Sequence, residues 1–98
     1  MRSNSYTNTE LPPTWRGAIS ALMKEYRISR EWTQEELGHR SGYDPVYINM
    51  LERGRRNPSI RALVDLCQAL GVRPSAFLRE VEERLEPAKN VDTINSST

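Results

Sequence analysis

Between Arg53 and Arg61 the chain carries four arginines and no acidic residue, and three of the four fall within "RGRR" (53–56). A basic stripe of this kind can hold phosphate even on a protein whose total charge is near zero. The 98-residue chain has a formal net charge of +1, but the charge is divided unevenly. Residues 16–61 hold nine Lys/Arg against six Asp/Glu, whereas residues 62–98 hold four against six. A solvated basic turn is the plainer reading, and the elements around the turn must decide between the two. Other chemistry is sparse. Cys67 is the one cysteine and His39 the one histidine, too few for a metal ligand set, so neither a metal nor a cofactor is expected. Cys67 lies inside the apolar pattern "IRALVDLCQALGV" and reads as a small buried thiol, and His39, beside Arg40, reads as a surface residue. With no Ser/His/Asp set, no glycine-rich phosphate loop and no paired carboxylates in a plausible pocket, an enzyme is not expected.

Helices must position the arginines. No segment alternates with the period of a half-buried strand, and five segments show helical spacing. The first runs from Thr14, its expected N-cap, with Trp15, Ala18, Ile19, Leu22, Met23 and Tyr26 on one face. The second opens at "TQEEL", where Thr33 and Glu36 have the spacing of a capping box and Trp32 and Leu37 that of a hydrophobic staple; it ends near Gly42. The third has Asp44 as N-cap and Pro45 at its first position; Ile48 and Leu51 point to a core, and Val46, Asn49, Met50 and Arg53 lie on other faces. The fourth follows Ser59, with an apolar stripe of Ile60, Leu63, Val64, Cys67 and Leu70 that ends at Gly71. The fifth runs from Pro74 and stops before Pro87.

The second and third helices, "TQEELGHRSGYDPVYINMLE", are short and joined by a turn containing glycine, which is a helix-turn-helix pattern. In that geometry the second helix of the pair enters the major groove of DNA. On "TQEEL", "YINMLERGRRNPS" and "LVDLCQALGV", the chain resembles the phage-repressor/Cro-like helix-turn-helix family, the XRE regulators, over roughly Trp15–Leu85. The resemblance implies an all-α, lambda-repressor-like five-helix bundle, in agreement with the helices read above, and double-stranded DNA as partner. It implies that Pro45, Val46, Asn49 and Met50 meet bases. Thr33 and Gln34, at the positive end of helix two, are then near the DNA backbone, with Gln34 touching phosphate or bracing a reading residue. Tyr47 reaches the sugar-phosphate edge, and Arg53, Arg55, Arg56 and Asn57 form a backbone-gripping turn. Arg27 and Glu52 match an ion pair that ties helix one to the end of helix three. Pro45 departs from the family by standing where a long polar reader is common, and Met50 is apolar as well. That leaves Asn49 as the one amide able to read a base in bidentate fashion, with Val46 able to meet a thymine methyl.

Residues 1–13 and 87–98 read as polar tails around one domain, 14–86. No apolar run is long enough to span a bilayer and no signal-peptide core follows Met1, so a cytoplasmic chain without a membrane partner is expected. Phe77, Leu78, Val81 and Leu85 give helix five an apolar face broader than one small core needs; with the end of helix four it is expected to join a homodimer. No small-molecule ligand is evident. The function expected is a small, dimeric, sequence-specific DNA-binding transcriptional regulator that inserts helix 44–53 in the major groove. The resemblance extends to the controller proteins of restriction–modification systems. An antitoxin or a protein-interaction adaptor on the same fold is the alternative.

Overall fold

A computed structural model describes residues 11–85 of the chain, so residues 1–10 of the expected N-terminal tail, Glu86 at the end of the expected domain and the expected C-terminal tail 87–98 lie outside the described residues. The described residues form five helices and no strand: α1 (Pro13–Ser29), α2 (Gln34–Ser41), α3 (Pro45–Glu52), α4 (Ile60–Leu70) and α5 (Pro74–Leu85). Local chemistry sets most of their ends. Thr33, Asp44 and Ser59 cap α2, α3 and α4 by accepting the backbone N–H groups of Glu36, Val46 and Ala62. Gly42 and Gly71 close α2 and α4 in the left-handed region, with φ of 85° and 78°.

Two of the expected caps differ in detail. Helix α1 begins at Pro13 with Pro12 as its N-cap, so Thr14 is already helical; proline at the first position has the right φ and needs no hydrogen bond there. Leu11, expected in the tail, packs against the core. At α2 the Glu36 carboxylate pairs with Arg40 one turn on, at 2.7 Å, in place of reaching back to Thr33. The Arg40 guanidinium in turn lies 4.2 Å from the centre of the Trp32 ring.

Every helix contributes to one core. Leu22 and Met23 of α1, Leu37 of α2, Ile48 of α3, Leu66 and Leu70 of α4, and Phe77 and Val81 of α5 are all buried. At about 1.5–3 kcal/mol for each large apolar side chain removed from water, this burial is what holds such short helices together. Cys67 is fully buried among them, and burial pushes its thiol up to about 11.

Two apolar faces differ from expectation. Ile60, expected in the core stripe of α4, is 77% exposed. Ala62, Leu63, Leu66, Cys67 and Leu70 are the buried residues; at about 100° per residue Ile60 lies at the edge of their arc beside Cys67, but it is the first residue of the helix, two turns before that covered position. On α5, Phe77 and Val81 are not free for a partner: both are fully buried, and the Phe77 ring meets Tyr26 of α1 at 5.9 Å. Leu78 and Leu85 are half-buried at the edge of the core. The polar residues beside them also turn inward to α1. Glu80 accepts the Tyr26 hydroxyl at 2.8 Å, which raises that phenol above its ordinary range, and Arg84 pairs with Glu25.

Candidate nucleic-acid interface

Helix α3 is anchored from below and open above. Ile48 and Leu51 fix it to the core, while Val46 on the opposite side is 64% exposed and Met50 36%. Pro45 and Asn49 are half-buried beside them. Pro45, Val46 and Asn49 form one wall of an open cleft of about 550 Å³, and Thr33, Gln34 and Glu35 from the start of α2 form the other. The helix-turn-helix pair therefore presents a shallow surface with Val46, Thr33 and Glu35 exposed at its rim and the Gln34 and Asn49 amides half-buried between them.

The approach of the two helices depends on a glycine inside α2. A Cβ at Gly38 would sit 2.5 Å from the Tyr43 carbonyl oxygen and 3.4 Å from the Pro45 nitrogen. Only glycine lets the turn fold this closely onto α2. The Gly38 carbonyl also accepts the N–H groups of Gly42 and Tyr43, at 2.8 and 3.1 Å.

Past α3 the chain turns at Gly54, which has φ of 72°, and exposes Arg53, Arg55 and Arg56. A second concavity of about 570 Å³ opens here, lined by Tyr47, Gly54, Arg55, Arg56, Asn57 and, from α1, Arg16. Arg56 lies over the Tyr47 ring at 5.5 Å, and Tyr47 stacks on Tyr43, with centroids 5.5 Å apart. Tyr43 is held in its turn by a 2.7 Å bond from its hydroxyl to Asp65 of α4, which raises the phenol above its ordinary range. The aromatic pair thus sets a guanidinium beside the cleft instead of leaving it on a free arm. Asn57 is half-buried, and its Oδ1 is buried with no hydrogen-bond partner among the described residues. Arg16 is not among the residues that the sequence points to. Its place in the cleft comes from α1 crossing the turn, and no spacing within "TWRGA" signals that.

Below this surface runs a hydrogen-bonded chain. Arg27 of α1 donates Nε to Glu52 Oε2 at 2.7 Å and Nη2 to Oε1 at 3.0 Å, and its Nη1 reaches the Trp32 carbonyl at 2.6 Å. The two side chains are 11% and 2% exposed, so the pair is buried and bidentate. Glu52 Oε1 also accepts from Gln34 Nε2 at 3.0 Å, and Gln34 Oε1 accepts from Asn49 Nδ2 at 3.3 Å. One relay therefore links α1 to the end of α3, to the start of α2 and back to the open face of α3.

An exposed helix face, a helix N-terminus beside it and an arginine turn after it can together engage a groove and its flanking phosphates. Known proteins agree with that class. Residues 23–77 match the family model described as Helix-turn-helix (HTH_3), and the chain belongs to this family, in its XRE type. An uncharacterized HTH-type transcriptional regulator, y4dJ of Sinorhizobium fredii (strain NBRC 101917 / NGR234), is 54% identical over 57 residues, which cover 58% of this chain and 74% of that protein. The crystal structure of the clp gene regulator ClgR from Corynebacterium glutamicum is similar with a TM-score of 0.69 at 28% identity, covering 85% of this chain and 88% of that one. The restriction–modification controller protein C.Esp1396I, solved as a tetramer in complex with its natural 35 base-pair operator, is similar with a TM-score of 0.66 at 29% identity. That match covers 70% of this chain and 91% of the other. Among the described residues no helix is long and apolar enough to cross a membrane.

Proposed function

We propose that this protein is a homodimeric transcriptional regulator that binds double-stranded DNA in the cytoplasm with α3 in the major groove. The observation that carries this reading is the juxtaposition of an anchored but outward-facing α3 with the arginine turn that follows it. Val46, Asn49 and Met50, with Pro45 at the helix start, meet base edges. Tyr47, Arg53, Arg55, Arg56 and Asn57 hold one phosphate strand. Thr33 and Gln34, at the N-terminus of α2, approach the other with free N–H groups. With one strong polar reader and three apolar ones, a single α3 distinguishes few base pairs. Two copies on a symmetric site, about 34 Å apart, multiply that selectivity. Of the expected interface residues, Leu78 and Leu85 retain the exposure that a dimer contact needs, joined by the end of α4. The role calls for no catalytic group.

Selection of bound sequences from random duplex DNA, followed by footprinting, tests the reading. The expected result is an enriched, two-fold symmetric site with half-sites about one helical turn apart. Recovery of unenriched DNA, bound no better than competitor, would overturn it.

A further inference from the structure

We propose that Asn49 reads adenine at one position of each half-site, and that the buried Glu52 carboxylate determines this by fixing which end of the Asn49 amide faces outward. The inference rests on the proposed docking of α3 in the major groove and goes on to the base that the groove must present.

Donors and acceptors alternate along the relay. A carboxylate has only acceptors to offer, and Glu52 already takes two N–H groups from Arg27. Gln34 must then turn its amide nitrogen to Glu52, as it does at 3.0 Å. That leaves the Gln34 oxygen facing Asn49. An oxygen there obliges Asn49 to give an N–H, at 3.3 Å, since the reversed amide would set oxygen against oxygen. With one N–H spent inward, Asn49 keeps its Oδ1 and its second N–H for the outer face of α3.

The four bases answer that pair differently. Adenine presents the N6 donor beside the N7 acceptor and satisfies both groups. Guanine presents O6 and N7, two acceptors, and its O6 would oppose Oδ1. Cytosine offers a donor without the neighbouring acceptor, and thymine offers an acceptor and a methyl group. An amide free to rotate could serve guanine or cytosine in part; an amide held by the relay cannot adjust. Gln34 and Glu52 are thus positioning residues and Asn49 the specificity-determining one. Glu52 and Arg27 lie too deep to touch DNA, so base choice is set in part from within the protein.

The test uses the full-length protein and the site found by selection. Adenine is replaced, one position at a time, by 7-deazaadenine, which lacks the N7 acceptor, by purine, which lacks the N6 amine, and by guanine. At one position per half-site each replacement should weaken wild-type binding by about tenfold, the low end of a bidentate base contact. Asn49→Ala should bind adenine and its analogues equally there while keeping its preferences elsewhere. Gln34→Ala leaves the core intact and frees the Asn49 amide; its ratio of adenine to guanine binding at that position should fall by about tenfold, with other positions unchanged. A purely structural role for Gln34 would lower affinity for all sites alike and leave that ratio alone. Specific binding in which no adenine depends on Asn49, or a ratio untouched by Gln34→Ala, would overturn this inference and leave the DNA-binding reading standing. Loss of any preferred sequence in the wild type would overturn both.

Discussion

Arg27 meets Glu52 where water barely reaches, and that burial determines what a substitution there does. Arg27→Ala removes three donors at once and leaves a carboxylate without a counter-charge inside the protein. Breaking a buried pair from one side costs about 3–5 kcal/mol, a large part of the ~5–15 kcal/mol that stabilises a typical domain. Urea unfolding should show a midpoint far below the wild type; a loss under about 1 kcal/mol would mean that solvent relieves the pair. The exposed Arg84 and Glu25 pair is the control, and Arg84→Ala should leave the midpoint nearly unchanged. Cys67 gives a pH-dependent test. The folded chain holds the thiol proton to about pH 11, while the unfolded chain releases it near 9.0. Stability is therefore present in full below about pH 9 and falls as pH climbs through 11. Cys67→Ala has no such loss, so its deficit against wild type at pH 8 should shrink by pH 10.5 in paired thermal melts. A constant deficit would show that the thiol titrates alike in both states.

At the level of helices, two glycines of the same type should behave oppositely. Gly38→Ala forces a methyl against the Tyr43 carbonyl and spreads α2 from the turn that leads to α3. Overpacking of this kind costs about 1–3 kcal/mol, and here it should also weaken DNA binding by tilting α3. Gly17 lies within α1 with nothing within 4 Å of its missing Cβ, so Gly17→Ala should stabilise the protein by about 0.5–1 kcal/mol. Denaturation of both variants checks the pair; equal effects would contradict the close approach at Gly38. The helix pattern itself is legible in the sequence because caps are local. Thr33, Asp44 and Ser59 each bond an N–H two or three residues on, within reach of any reading of spacing. What spacing misses is how far each face is covered. Ile60 shares an apolar stripe with Leu63 and Cys67, yet at the first residue of α4 it stands exposed while those two, further along the same side, are buried. In the sequence Phe77 and Val81 look available for a partner, because the depth of α1 against α5 is a tertiary quantity. The pairing of Arg27 with Glu52, 25 residues apart, is reached by resemblance, and the relay through Gln34 to Asn49 has no local signal.

The whole molecule divides by charge, with the arginine turn in one half and an acidic balance over residues 62–98. That asymmetry suits a protein that turns one side to phosphate and keeps the other for its own copy. Leu78→Glu and Leu85→Glu should each leave the helices folded, since both residues are only half-buried, while shifting sedimentation toward monomer and weakening specific binding. A wild type that is already monomeric at tens of micromolar, with one copy per operator, would remove the dimer. The proposed role as a whole comes down to whether α3 and its turn grip duplex DNA through Arg53, Arg55 and Arg56. Fluorescence anisotropy of a labelled duplex, titrated with protein across a series of salt concentrations, measures this directly. Wild-type affinity should fall steeply with salt, and the triple alanine variant should bind far more weakly, with a slope shallower by about 0.9 for each phosphate it no longer neutralises. Equal affinity and equal slope for the two proteins would contradict it.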